Sequence, residues 1–154
     1  MPYAWQKPGA SLSCLSNSNG HRHTVLGFLS CLGSFRSYMI DGYGTGELIV
    51  ACIDQFVGCL KRRRHRRPVV LVLDNASLHT SGMFQQRRAV WAKADVNVKY
   101  LPQYSPELNM IEILWKRIKY SRLPLDAYEN WEKLTESLEH ILKNIGRKYQ
   151  ISFS

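Results

Sequence analysis

Two carboxylates lie in sequence contexts that could support metal-dependent chemistry. Asp74 ends the aliphatic run VVLVLD (69–74), and Glu112 follows 38 residues later within YLPQYSPELNMIEILWKRIK (100–119). Five aliphatic residues without alternation predict a strand that is buried on both faces. Ligands gather at the carboxyl ends of strands in open α/β sheets, and carboxylate oxygens suit a hard divalent cation. Asp74 could equally serve an ordinary turn, because Asp-Asn-Ala-Ser is common turn chemistry.

Glu112 also has structural explanations that need no catalysis. A helix is predicted over 110–120, because apolar residues recur there at helical spacing: Ile111, Leu114, Trp115 and Ile118. Asn109 could cap this helix, with Glu112 as its partner in a capping box. Lys116, four residues further on, could pair with Glu112. Spacing alone therefore leaves three roles open for Glu112: a cap, an ion pair and a metal ligand.

The elements that position these acids follow from the spacing of apolar and turn residues. Residues 23–41 predict a β-hairpin, and Thr45 is the expected N-cap of the helix that follows. The predicted order is β-β-α-β-α-β-α-α, which is typical of an α/β domain with a mixed sheet flanked by helices. After the first helix come strands at 69–74 and 96–101, and helices at 82–94, 110–120 and 128–146.

Composition and charge limit the class of protein. The chain has 154 residues, of which 45% are hydrophobic, and this favours a single domain that spans residues 1–154. We expect its core at residues 20–120 and a C-terminal helical segment at residues 121–150. The sequence contains no apolar run long enough to span a bilayer, so we expect no membrane partner. None of the four cysteines forms a C-x-x-C pair, which argues against zinc and is consistent with a reducing cytoplasm.

The net charge of +9 favours a polyanionic partner, with nucleic acid first. The segment KRRRHRR (61–67) concentrates six cations in seven positions, and we define these six as the basic segment: Lys61, Arg62, Arg63, Arg64, Arg66 and Arg67. They could follow a phosphate backbone and add affinity without reading sequence. Alternatively, they are the solvated C-terminus of a helix, which favours cations in any protein. Further cations could extend this DNA-binding surface: Arg87, Arg88, Lys116, Arg117 and Lys119.

VLVLDNASLHTS (70–81) and YLPQYSPELNMIEILWKRIK, taken together, resemble the catalytic core of DDE transposases of the mariner superfamily. The resemblance is specifically to the bacterial insertion-sequence branch, in which a strand ends in D-N-A-x-x-H and L-P-x-Y-S-P-x-L-N-P-I-E follows later. It covers roughly residues 2 to 120, and Met110 stands where the family prefers Pro. It implies a ribonuclease-H-like fold, a bacterial protein of the cytoplasm and nucleoid, and cleavage and strand transfer of DNA at transposon ends and targets.

The resemblance also implies roles for individual residues. The family uses three acids to bind two divalent ions, Mg²⁺ or Mn²⁺, and Asp74 matches the second acid while Glu112 matches the third. Such ions activate the attacking water or 3′-hydroxyl and stabilise the leaving oxygen. His79 falls at the position of the motif histidine, where it could bond a metal ligand or a phosphate, or simply lie in a loop. Asn75 could support Asp74 or make a turn, and Asn109 is expected to support Glu112.

The family's first acid lies in a strand upstream of the segment that YAWQKPG (3–9) resembles, so we expect that first strand and its Asp to be missing. Asp41 is the nearest other acid, but it would be displaced by about two strand spacings of ~4.8 Å. A partner chain or a homodimer could supply the strand, and the isolated chain is expected to be inactive. A frameshift product, a decayed gene copy and a misplaced start codon all remain open.

Two other functions compete with the enzymatic interpretation. The chain could be a non-catalytic remnant that binds DNA or the full transposase, and it would then bind DNA without needing Asp74 or Glu112. A nucleotide-binding domain would also fit the aliphatic strand. That alternative lacks support, because no G-x-G-x-x-G loop follows a strand in this sequence.

Overall fold

The computed structural model of the protein describes residues 20–62, 67–103 and 105–151. The predicted order of elements is confirmed, and the predicted cap of α1 is confirmed by the backbone N–H of Leu48, which donates to the hydroxyl of Thr45 at 3.3 Å. No helix of the described residues is long and apolar enough to cross a membrane. The elements are β1 (His23–Leu29), β2 (Phe35–Asp41), α1 (Gly46–Arg62), β3 (Val69–Leu73), α2 (Gly82–Ala92), β4 (Val96–Tyr100), α3 (Met110–Arg117) and α4 (Trp131–Asn144).

The strands form two pairs, β1 with β2 and β3 with β4. β3 and β4 run parallel, with Val69 opposite Val96 and Leu73 opposite Tyr100. This mixed α/β architecture confirms the predicted class and is compatible with a ribonuclease-H-like fold. The predicted single sheet is seen as two separate pairs among the described residues, where no strand joins β1–β2 to β3–β4. Strands that a short connection joins can pair with each other directly. A single sheet would need a further strand between the β1–β2 pair and the β3–β4 pair.

One face of the β3–β4 pair is exposed. Leu71, Val96 and Val98 are buried, and α2 packs against β4. Val70 and Val72 point the other way and are each 54% exposed, beside the exposed Asn97 and Lys99. The prediction that β3 is buried on both faces is therefore wrong for the described chain, because only one layer of helices covers this pair.

The described residues divide into two compact units. One, which we call the parallel-pair unit, comprises 23–26 and the described part of 38–109, and it contains α1, β3, α2, β4 and Asp74. The other, which we call the helical unit, comprises 20–22, 27–37 and 110–151, and it contains α3, α4 and Glu112. That the chain forms one domain with a core at 20–120 stays a prediction.

Packing in the parallel-pair unit centres on α2. Phe84 and Trp91 are fully buried on its inner face, and their rings meet edge to face with centroids 5.1 Å apart. The hydroxyl of Ser81 accepts the backbone N–H of Phe84 and caps the helix. This packing holds the start of α2 directly behind the turn that follows Asp74.

An ion pair ties α1 to α2. The Arg87 guanidinium donates to both carboxylate oxygens of Asp54 at 2.8 and 2.9 Å, and the indole N–H of Trp91 donates to Asp54 Oδ1 at 2.7 Å. Burial raises the pKa of Asp54, but the hydrogen bonds from Arg87 and Trp91 outweigh it, and the pKa lies below its ordinary value. Asp54 is therefore a carboxylate anion that accepts hydrogen bonds from both Arg87 and Trp91.

We expect Asp54→Ala to lower the free energy of unfolding by about 1–3 kcal/mol at pH 7, because the buried indole donor of Trp91 loses its acceptor. A carboxylate with a lowered native pKa stabilises fully above its unfolded pKa of about 3.9, and that stabilisation is lost as the pH falls through the native value. The difference in the free energy of unfolding between the wild type and Asp54→Ala should therefore become smaller below about pH 4. Urea unfolding followed by tryptophan fluorescence measures it. Gln55→Ala, at the exposed neighbouring position, is the control, and equal stability of the two variants would contradict the assignment.

In the helical unit, α3 lies against β1 at a glycine. A Cβ atom at Gly27 would approach the Trp115 ring to 2.7 Å and Ile111 Cδ1 to 2.9 Å, so only glycine allows this close contact without a shift. Leu114 is buried on α3, and Ile118 is buried at the start of the π-helical turn Ile118–Arg122 that continues it, in agreement with the predicted apolar stripe. These contacts fix the orientation of the helix whose first turn carries Glu112.

Candidate active site

Asp74 is the first residue after β3, and its carboxylate is held by one oxygen. Oδ1 accepts the backbone N–H of Ala76 at 3.3 Å and lies 2.8 Å from Nδ1 of His79. The side chain is 49% exposed, and across 20–62, 67–103 and 105–151 no hydrogen bond reaches Oδ2. One carboxylate oxygen is thus held, while the other has no hydrogen-bond partner among the described residues on a side chain that is half exposed. A metal ligand needs such an available oxygen.

His79 contacts Asp74 directly from the 3-10 turn Ser77–Thr80. Its side chain is 13% exposed, and its ring lies 5.7 Å from that of Phe84, measured between centroids. A carboxylate only accepts hydrogen bonds, so Nδ1 carries the proton that points at Asp74. The same nitrogen lies 3.2 Å from the backbone oxygen of Asp74. His79 is therefore a partner of Asp74 rather than an unattached loop residue.

Asn75 joins the ends of the two parallel strands. Its amide Nδ2 donates to the backbone oxygen of Leu101 at 2.7 Å, and the N–H of Leu101 donates to the backbone oxygen of Leu73 at 2.8 Å. The local turn is made by Asp74, whose Oδ1 accepts from Ala76 two residues on. The Asn75 amide therefore joins the end of β3 to the end of β4.

A second ring of side chains around Asp74 was missed by the sequence analysis. The Tyr100 hydroxyl donates to the backbone oxygen of His79 at 2.6 Å, and Gln85 Nε2 lies 3.2 Å from that hydroxyl. Arg88 donates to Gln85 Oε1 at 2.8 Å and lies 5.4 Å over the Tyr100 ring. The one available signal was the position of Tyr100 within a predicted strand, since its pairing with Leu73 is known only from the register of the structure.

Glu112 lies in the first turn of α3 and is half-buried. Asn109 directly precedes the helix, and a carboxylate in a first turn is favoured by the helix dipole. The described geometry brings Asp74, Asn75 and His79 together in the parallel-pair unit, while Glu112 belongs to the helical unit. The capping role of Asn109 and the pairing of Glu112 with Asp74 both stay predictions.

The predicted cationic surface is partly described. Lys61 and Arg62 are exposed in the last turn of α1, and Arg67 is exposed after it. The other three arginines of the basic segment lie outside the described residues. Arg87 and Arg88 bond Asp54 and Gln85 within the protein, so their guanidinium groups serve the fold. The other predicted cations are exposed in the helical unit: Lys116, Arg117 and Lys119.

Asp74 fits a divalent cation as a single ligand, because its available oxygen is a hard donor on a fixed carboxylate. Among the residues that the structure describes, no three His, Cys, Asp or Glu side chains cluster in a way that could hold a metal ion. A two-metal site would therefore need carboxylates beyond the Asp74 cluster. Asp41 ends β2 and is exposed.

The comparisons with known proteins identify the class. The family model described as DDE superfamily endonuclease matches residues 1–135, and the chain belongs to this family. Members of the family use divalent metal ions and act on DNA. A search of curated proteins and a search of solved structures returned no match. The matched region includes Asp74 and Glu112, together with the loops that carry them.

Proposed function

We propose that the chain is the C-terminal part of a DNA transposase catalytic domain of the mariner superfamily, in its bacterial insertion-sequence branch. It would cut and join DNA strands at transposon ends and targets with Mg²⁺ or Mn²⁺. The observation that carries the proposal is the half-exposed Asp74 carboxylate at the end of β3, with Oδ1 held by His79 and the Ala76 N–H and Oδ2 available among the described residues. DNA as substrate would locate the protein at the bacterial nucleoid, in the cytoplasm.

In this proposal Asp74 and Glu112 are metal ligands, and the bound ions would activate the attacking hydroxyl and stabilise the leaving oxygen. The chain's own residues fix the ligand before the ion binds. His79 and the Ala76 N–H occupy Oδ1, so the carboxylate cannot rotate freely and presents Oδ2. Asn75 holds the strand end on which Asp74 sits. Such fixed carboxylates lose little conformational freedom when an ion binds.

The proposed site needs a third carboxylate, which would come from a strand other than the four that the structure describes. The two-stranded β3–β4 sheet supports this, since an added strand pairs along the edge of a sheet. The exposed Val70 and Val72 mark a face that a further layer could cover. The isolated chain is then expected to be inactive.

The second candidate is a non-catalytic remnant that binds DNA or the full transposase. The net charge of +9 and the exposed Lys61, Arg62 and Arg67 favour it. The two candidates differ in one respect, because only the enzyme needs the carboxylates of Asp74 and Glu112.

A nicking assay on supercoiled DNA that contains transposon ends separates them. We expect no cleavage by the purified chain with Mg²⁺ or Mn²⁺, and metal-dependent cleavage once it is co-purified with a polypeptide that supplies a strand ending in aspartate. EDTA should abolish the cleavage. Cleavage by the chain alone that is lost in Asp74→Ala would show that its own residues complete the site. DNA binding without cleavage in every combination would favour the remnant.

A further inference from the structure

The turn after β3 is held by the side chain of Tyr100, the first residue of the stretch that also carries Glu112. Tyr100 ends β4, and its register partner is Leu73, the residue before Asp74. Its hydroxyl donates to the backbone oxygen of His79 at 2.6 Å. His79 in turn places its ring on Asp74 at 2.8 Å. One phenol therefore fixes the backbone of the histidine that fixes the carboxylate.

The phenol is itself held by neighbours from α2. Gln85 Nε2 lies 3.2 Å from the Tyr100 hydroxyl and 3.5 Å from the backbone oxygen of His79. Arg88 donates to Gln85 Oε1 at 2.8 Å and to the backbone oxygen of Val98 at 3.4 Å. A hydrogen-bonded series thus runs from α2 through Tyr100 to the turn after Asp74. Its members polarise one another, and each restricts the freedom of the next.

A structural explanation exists for the tyrosine contact, because the end of a 3-10 turn leaves backbone oxygens without partners inside the turn. That explanation needs only a donor for the oxygen of His79. It does not require the ring of that residue to reach Asp74. The ring nevertheless makes its shortest contact with the carboxylate, at 2.8 Å, while its backbone is held by Tyr100 at 2.6 Å. Tyr100 thus holds the backbone of His79, while the ring of His79 contacts Asp74.

We propose that Tyr100 is a positioning residue for Asp74. Its hydroxyl holds the His79 backbone so that Nδ1–H points at Oδ1 of Asp74, and this leaves Oδ2 as the available oxygen. The consequence for metal binding rests on the proposed function. The positioning itself concerns contacts within the parallel-pair unit and is independent of DNA or metal.

The test is the tautomer of the His79 imidazole in the full chain, read from its ¹⁵N chemical shifts at pH 8, where an ordinary histidine is neutral. A free neutral imidazole mainly carries its proton on Nε2, whereas contact with Asp74 requires it on Nδ1. We expect the Nδ1–H tautomer in the wild type and a shift toward Nε2–H in Tyr100→Phe. Tyr120→Phe, which removes an exposed hydroxyl in the helical unit, should leave the His79 signals unchanged.

An unchanged His79 tautomer in a folded Tyr100→Phe protein would overturn the proposal, and so would an Nε2–H tautomer in the wild type. If Tyr100→Phe does not fold, Gln85→Ala decides, because it keeps the phenol and removes the amide beside it. We expect the same tautomer shift with smaller amplitude, and its absence would count against the proposal.

A Mn²⁺ titration of the same samples separates this inference from the proposed function. Paramagnetic broadening of the Asp74 and Asn75 amide signals should need about tenfold more Mn²⁺ in Tyr100→Phe, the usual effect of losing an outer partner of a ligand. A tautomer shift without Mn²⁺ broadening in any protein would support the positioning role and count against a metal at Asp74. Equal broadening in the wild type and in Tyr100→Phe, with no tautomer shift, would support a metal at Asp74 and count against the positioning role of Tyr100.

Discussion

Asp74→Asn and Glu112→Gln should each lower metal-dependent DNA cleavage by about 10³-fold or more, measured under conditions in which the wild-type protein cleaves DNA. Both changes keep the shape of the side chain and remove its charge. An amide is a poor ligand for a hard divalent ion, and losing one carboxylate would remove about 4 kcal/mol of transition-state stabilisation. The expected loss is in the cleavage rate at saturating DNA, because the basic segment that would bind phosphates is unaltered.

The chain offers a matched control for each acid. Asp41→Asn changes another exposed acid at a strand end, and Glu107→Gln changes an exposed acid in the turn before α3. Both controls should cleave at the wild-type rate. A loss in Asp41→Asn would identify Asp41 as the third acid. Full activity in Glu112→Gln would leave Glu112 with its capping role only, and full activity in Asp74→Asn would refute the proposed site.

Replacing the six cations of the basic segment by Gln should weaken binding to duplex DNA by about 10³-fold near physiological salt and flatten its salt dependence. Each phosphate contact releases counterions and contributes about 0.9 to the slope of log K against log salt, so the slope should fall by up to about 5. Fluorescence anisotropy of a labelled duplex over a salt series measures both quantities. The loss should be the same for unrelated DNA sequences, because phosphate contacts carry no sequence information.

Paired lysines provide the control for this experiment. Lys133 and Lys143 contact Glu129 and Glu139 at 2.6 and 2.7 Å, and replacing both by Gln should change the slope little. A separate variant with Gln at Lys116, Arg117 and Lys119 tests the exposed cations of the helical unit. An unchanged slope after neutralising the basic segment would assign it to an ordinary solvated helix end. Binding should survive Asp74→Ala and Glu112→Ala.

The elements of the fold were predictable because their signals are local. The apolar stripe of α3, the cap at Thr45 and the aliphatic run of β3 each lie within a few residues, and the structure has all three. Burial of β3 was not predictable in the same way. Five aliphatic residues indicate that a strand could be covered twice, but the cover comes from other segments. Val70 and Val72 are exposed since the described chain covers only one face.

The candidate site divides along the same line. Asp74 and His79 lie five residues apart in one motif, and that motif predicted that both belong to the same site. Tyr100 and Gln85 come from later elements, and they reach the turn only because the register sets Leu73 beside Tyr100. A parallel pair joined through α2 could adopt several registers with the same alternation of side chains. The second ring around Asp74 therefore follows from the three-dimensional register.

The open face of β3 predicts that self-association of the chain depends on ionic strength. Lys99 lies beside Val72 on that face. The charge of Lys99 and the net charge of +9 on the chain repel a second copy that approaches. Added salt shortens the range of this repulsion to about 8 Å at physiological strength while it weakens contacts with phosphates. If the chain binds DNA as proposed, added salt that weakens this binding should also let the exposed valines of two copies approach each other.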